Sequence, residues 1–284
     1  MKTNYMIYIF SLTVLTGIPN SNSMMRALNI AATGMAAQEA NVSTISNNIA
    51  NVNTIGFKKN RTEFEDLNYE TVIAPGSRSS ASTEYSVGIQ YGTGSKVSSI
   101  KKVFSMGNPV ITNNPFDLMI SGDGFFGIIL PNNEIKYTRD GSFSVDKTGS
   151  LVTKRGYKVF PSFTFPPGTA NVKISEDGIV EAYLQGQIEG NNLGTIPLFT
   201  FSNPPGLKSI GGNLFEISKS SGPPIQQIAG QNNSGKIVQG TLESSNVSIM
   251  NEMTHLIKAQ RAYEMNAKVM GIADQMLQTV NNIR

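Results

Sequence analysis

Ser46-Asn47-Asn48-Ile49-Ala50-Asn51-Val52-Asn53-Thr54-Ile55-Gly56-Phe57-Lys58 is the stretch on which the reading of this chain turns. Leading into it from Met25, apolar residues recur at three-and-four spacing: Leu28, Met35, Val42 and Ile49 fall seven apart, with Ala31, Ile45 and Val52 between them. That is a heptad seam on one helix. Gln38 interrupts the seam, and its flanks are Ala, Ser, Thr and Asn rather than alternating charges, so the helix is weakly specified by itself. Gly56 stands just beyond the last periodic residue, where a left-handed terminating conformation suits glycine. Met25 to Val52 predicts a helix about 40 Å long at the usual rise per residue.

The far end of the chain mirrors this. Ile249, Leu256, Tyr263, Met270 and Leu277 again fall seven apart, joined by Met253, Ala267 and a second stripe of Val269, Ile272, Met276, Val280 and Ile283. Two stripes imply two partners for a helix from Val247 to Ile283, about 55 Å long. Asn246 or Ser248 is placed to cap its first turn.

Between the helices the period shortens to that of strands. Asp117 to Ile120, Gly127 to Leu130, Ser142 to Val145, Gly156 to Phe160 and Leu198 to Phe201 are β-type runs punctuated by Gly, Asn and Pro. The fold class expected is α+β: long N- and C-terminal helices pairing as a coiled-coil-like layer, with a central antiparallel β domain of Greek-key or barrel-like character. The organisation reads as an atypical extension over 1–23, a helix over 24–56 and a linker with an extended hairpin over 57–105. A β domain over 106–235 and a strand, linker and helix over 236–284 follow.

Composition narrows the chemistry. With no Cys and one His in 284 residues, metal and thiol chemistry have almost no ligands. A net charge of +3 from 23 basic and 20 acidic residues, spread along the chain, gives no footprint for nucleic acid or an anionic membrane. Gly122-Asp123-Gly124-Phe125-Phe126-Gly127 spells GxGxxG, but a strand continues where a helix must open, so it reads as a turn. Gly230 to Ile237 nearly matches a phosphate loop, yet Ile237 sits where a hydroxyl must bind magnesium, so it reads as a polar loop around Lys236. His255 has no second ligand at a metal spacing, and the Asp residues beside Gly are turn formers. No catalytic group, cofactor, metal or small-molecule substrate is expected, and no enzyme.

Met1 to Ser23 has the shape of a secretory signal, with Lys2 ahead of an apolar run from Tyr5 to Leu15. Met24-Met25 immediately before the first helix favours the other reading, a misassigned start.

The stretch quoted first resembles the N-terminal signature of the axial proteins of the bacterial flagellar rod and hook. Gly122 to Phe126, Tyr137-Thr138-Arg139-Asp140-Gly141-Ser142-Phe143, Ser244-Ser245-Asn246-Val247 and Gln260-Arg261-Ala262-Tyr263-Glu264 are similar to further family motifs. The resemblance spans about Met24 to Arg284. Glu63 to Leu67 and Gly88 to Gly94, with the length, are most similar to distal-rod members, with proximal-rod and hook members the near rivals.

Several expectations follow from that resemblance. It implies a structural subunit of a rigid helical tube that transmits torque and encloses the export channel. Its partners would be further copies of itself, neighbouring rod and hook subunits, outer ring proteins around the rod and the flagellar type III export apparatus. Its location would be the periplasm-spanning basal-body rod, reached by uncleaved export, a route that a genuine signal peptide puts in doubt. The assembly interface implied comprises Leu28, Met35, Val42, Ile45, Asn47, Asn48, Ile49, Asn51, Val52, Gly56, Phe57, Leu256, Tyr263, Met270 and Leu277, with the asparagines bonding to backbones of other subunits. Tyr69 to Ser86 resembles a distal-rod insertion; Tyr69, Val72, Ile73 and Tyr85 would pack on a neighbour around a reversal at Pro75-Gly76, stiffening the tube. The reading from a different class is a monomeric secreted module whose β domain binds a ligand.

Overall fold

Heptad spacing yields two helices. The computed structural model describes residues 21–78, 85–186, 189–232 and 234–282, and places the helices at Ser21–Ala50 and Ile249–Asn282. The signal-like reading of Met1 to Ser23 falls mostly outside the described residues; its last three positions are helical. The first helix ends at Ala50, two residues short of Val52 and before Gly56; the Asn51 N–H still donates to Asn47 O at 3.2 Å, and from Val52 the chain passes into a run of turns. Gly56 closes those turns instead, at φ +69°. Of the two expected caps, Asn246 is spent elsewhere, while Ser248 immediately precedes the helix and its carbonyl accepts from the Glu252 N–H at 2.9 Å.

The chain divides into two compact units. One comprises the first helix up to Ser46, Thr62–Ile100, and the second helix from Met253. Here the apolar side chains sealed from water are Met24, Ala31, Ala37 and Ile45 on the first helix and the small Ala259 and Ala273 on the second. A Cβ added at Gly34 would lie 2.8 Å from the Asn266 amide nitrogen, so the helices approach closely at a residue with no side chain. Leu256, Met270 and Leu277 are half-buried, whereas Tyr263, Val269, Ile272 and Met276 are exposed.

The same unit holds an antiparallel hairpin of Tyr69–Ile73 and Ile89–Gly92. The reversal is not at Pro75-Gly76. Pairing runs past it, since the Gly76 N–H donates to Tyr85 O at 2.9 Å and the Tyr85 N–H donates to Ser77 O at 2.8 Å. Pro75-Gly76 does form a turn, with the Ser77 N–H donating to Ala74 O at 3.1 Å and Gly76 at φ +78°, but that turn lies within the hairpin arm. Residues 79–84 lie outside the described residues. The strands Asn60–Asp66 and Ser95–Lys102 also pair, so 57–105 is a more regular segment than a linker.

The other unit comprises Asn47–Arg61 and Lys101–Glu252. Its main sheet is antiparallel and centres on Phe125–Ile129, which pairs with Ile135–Thr138 along one edge. Lys158–Val159 and Leu198–Thr200 share the other edge. Side chains alternate across this strand. Phe125 joins an aromatic cluster with Tyr137, Phe199, Phe201 and Phe215, while Phe126 enters the larger core of Leu118, Ile120, Phe143, Leu151 and Ile196. Both faces are covered, which explains the unbroken apolar run. The strand path ends at Lys208–Gly211 and Phe143–Val145 rather than closing into a barrel. Lys236–Gln239 pairs with Leu118–Ser121, and Thr241–Glu243 with Pro109–Ile111, so the C-terminal segment is sewn into this unit before its helix begins.

Candidate assembly junction

The turns after the first helix carry Gly56, Phe57 and Lys58 into the β unit, and all three are buried. Lys58 is a fully buried cation, so it must find acceptors. Its Nζ donates to Glu243 Oε1 at 2.6 Å and to Ser105 O at 2.8 Å. Glu243 is equally buried; its Oε1 also accepts from the Gly107 N–H at 2.8 Å, and its Oε2 lies 3.6 Å from Arg139 Nη1. The Gly56 N–H donates to Glu243 O at 2.8 Å. One residue of the C-terminal segment thus binds the N-terminal segment by side chain and backbone together.

Arg139 completes the cluster from the sheet. Its guanidinium donates to Gly122 O at 2.7 Å and Ile120 O at 3.3 Å, and sits 5.5 Å from the centre of the Phe125 ring. The glycine motif is therefore a turn wrapped round an arginine: Gly122 and Gly124 take φ +118° and +137°, and a strand follows. Burial pushes the Lys58 ammonium below its usual pKa, and Arg139 adds to this, while Glu243 opposes. Burial likewise lowers Arg139, against the pull of Glu243 and Asp123. Two cations with two anions nearby balance in charge, and the Lys58 amine is engaged by Glu243 and Ser105 O. Such a cluster fastens chain segments.

A second fastening lies beside it. Asn48, 1% exposed, accepts from the Asn60 N–H at 2.8 Å through Oδ1. Its Nδ2 donates to Asn60 O at 2.8 Å and Glu252 Oε2 at 3.1 Å. Asn246 accepts from the Lys59 N–H at 2.8 Å and donates to Val103 O at 2.8 Å, which is why it caps no helix. Asn213 donates to Ile55 O at 2.8 Å.

The expected interface residues are distributed as follows. Asn48 is engaged within its own chain rather than offered to another subunit, and Gly56 and Phe57 are interior, the Phe57 ring lying 5.2 Å below Lys102 Nζ. Asn51 bonds back to Asn47 O at 2.9 Å and accepts from Thr54 at 3.1 Å, and Asn47 is exposed. Leu28, Met35, Val42, Ile49 and Val52 are half-buried and Ile45 is buried. Tyr69, Val72, Pro75, Gly76 and Tyr85 are exposed, and Ile73 is half-buried. Lys236 pairs with Glu176 at 2.8 Å on a strand, as a surface ion pair rather than a phosphate ligand. Glu243 was missed, because nothing local distinguishes one glutamate at a strand end; its partner Lys58 is 185 residues away.

Three family models match the chain: flagella basal body rod protein at 28–58, flagellar hook protein FlgE/F/G D1 domain at 119–182, and flagellar basal body rod FlgEFG protein C-terminal at 238–283. The protein named flagellar basal-body rod protein FlgG of Borreliella burgdorferi is 46% identical over 263 residues, 92% of this chain and 99% of that one. Proteins of the same name from Caulobacter vibrioides and from Buchnera aphidicola of Schizaphis graminum are 45% and 44% identical, over 92% of this chain and all of theirs. The chain belongs to the flagellar basal-body rod protein family. Each of the three matched stretches of this rod-family chain feeds the junction: the first supplies Asn48, Gly56 and Lys58, the second Arg139 and Gly122, the third Glu243, Asn246 and Glu252.

Proposed function

We propose that this chain is the distal-rod subunit of the flagellar basal body, a structural protein and not an enzyme, acting through self-assembly. Within the flagellar family it shares, the observation that carries assembly is the outer stripe of the second helix. Met265, Val269, Ile272 and Met276 are about half exposed or more, at three-and-four spacing, on a helix that already buries Ala259 and Ala273. A monomer leaves that stripe in water, and a neighbouring subunit removes it.

In this reading the two helices pair as a coiled-coil-like inner layer around the export channel. Supporting the pairing, Gly34 on the first helix meets Asn266 on the second. Leu28, Met35, Val42, Leu256, Met270 and Leu277 supply the seam. The hairpin arm, with Tyr69, Val72 and Tyr85 outward, wedges between subunits and stiffens the tube that carries torque. Further copies, adjoining rod and hook subunits, the surrounding ring proteins and the type III export apparatus are its partners.

Negative-stain microscopy of the concentrated purified chain tests the assembly, with straight tubes expected. Monodisperse globules at every salt and pH would instead favour the secreted binding module. The helix register has its own test. The chain lacks cysteine, so Ala27→Cys with Ala273→Cys provides the sole thiols, and a short bis-maleimide joins them in denatured gels only if the register holds.

A further inference from the structure

A two-stranded hairpin is marginal in water without something to pack against, yet this one has an anchor. Glu70 and Tyr91 are directly opposite across its strands. Arg26 of the first helix reaches both: its Nη1 lies 3.0 Å from Glu70 Oε2, and its guanidinium carbon lies 4.4 Å from the centre of the Tyr91 ring. One planar cation therefore pins both strands at once, by an ion pair to one and cation–π contact to the other.

Seven residues on, and so on the same helix face, Thr33 meets the base of the hairpin. A Cβ added at Gly94, φ +122°, would lie 2.1 Å from Thr33 Oγ1, which is held by Ile30 O at 2.9 Å. At that base the Leu67 N–H donates to Gly94 O at 2.9 Å, and the Thr93 hydroxyl donates to Asn68 O at 2.7 Å. Two contacts, two helical turns apart, fix a direction where one would leave a pivot.

We infer that Arg26 is the positioning residue of the hairpin arm: with the Thr33–Gly94 contact it holds the arm along the first helix, and this fixed orientation lets the arm stiffen a tube. The second half of that statement rests on the rod reading; the first does not. Tyr69, whose ring covers Gly92, and Thr71, bonded to Gln90, are exposed and stay available to a neighbour.

The test uses the full chain with Arg26→Ala, Arg26→Lys, Arg26→Glu and the exchange Arg26→Glu with Glu70→Arg. Hydrogen exchange read by mass spectrometry should show hairpin amides of Arg26→Ala opening about tenfold faster, the scale of an exposed ion pair plus one cation–π contact. Amides of Phe125–Ile129 should be unchanged. Arg26→Lys should fall between, and the exchange variant should recover protection more fully than Arg26→Glu alone. Unaltered hairpin exchange in Arg26→Ala, or no recovery in the exchange variant, overturns the anchor. Tubes of Arg26→Ala should form but bend more than the parent's. Faster exchange with unaltered stiffness would uphold the anchor and remove the arm from the stiffening role.

Discussion

At the scale of single residues, Lys58, Glu243 and Arg139 show how a charge cluster can be structural. Removing one partner of a buried pair costs about 3–5 kcal/mol, because the remaining charge has no water to return to. Lys58→Met is expected to destabilise the β unit by that order, and Lys58→Met with Glu243→Leu to cost less than the single change; urea denaturation of the full chain reads both. Gly56 offers an independent probe. A Cβ there would lie 2.7 Å from Asp140 N, in a backbone conformation that disfavours side chains, so Gly56→Ala should cost at least about 1 kcal/mol. Sequence reading reached Lys58 and Arg139 as parts of motifs without seeing that they meet. The pairing is set by how strands from distant parts of the chain align, and no local spacing encodes that. Asn48 illustrates the same limit: an asparagine near a helix end looks the same whether it serves its own chain or another's, until Asn60 and Glu252 are seen to saturate it.

Elements were more legible than their ends. Seven-residue spacing located both helices, and short apolar or alternating runs located the strands at Leu118, Phe125, Phe143, Lys158 and Leu198, because these periods are geometric properties of the backbone. Ile135–Thr138, Thr169–Ile174 and Ile179–Leu184 carried no run that was read. The helix ends came close, Ala50 against Val52 and Ile249 against Val247, and Gly56 takes the left-handed conformation expected of it, whereas the hairpin arm runs on past Pro75-Gly76. Gly56 and Gly76 both take positive φ in turns, the second inside an arm whose pairing continues past it. Which face of the second helix is buried also escaped the sequence. Large residues suggest burial by size, yet Tyr263 and Ile272 are exposed while Ala259 and Ala273 are covered, because close helix approach selects small side chains. The corrected hairpin changes the deletion that tests stiffening. Excising Tyr69 to Ser86 would leave Ile89–Gly92 without its partner strand. Excising Tyr69 to Gly92 joins Asn68 to Thr93, whose side chain already bonds to Asn68 O. That variant should polymerise and yield a curved or flexible tube by electron microscopy; a straight tube of parental stiffness would place rigidity in the β unit.

For the molecule as a whole, the deciding question is whether the outer stripe of the second helix is surface or interface, and neighbouring positions answer it differently. Ile272 is 52% exposed and its neighbour Ala273 is 5% exposed. Ile272→Glu places a charge where the isolated chain meets water, so its stability should change by no more than about 0.5 kcal/mol. In a tube the same carboxylate would be enclosed against a second subunit, at a cost of several kcal/mol without a partner. The expected result is a chain that melts like the parent but stays monomeric by sedimentation at concentrations where the parent forms tubes. Ala273→Glu serves as the contrasting case, since it enters the packed face and should lower stability and assembly together. If Ile272→Glu polymerised as readily as the parent, the stripe would be ordinary surface. The contacts that build the rod would then have to be sought on the hairpin arm and the β unit.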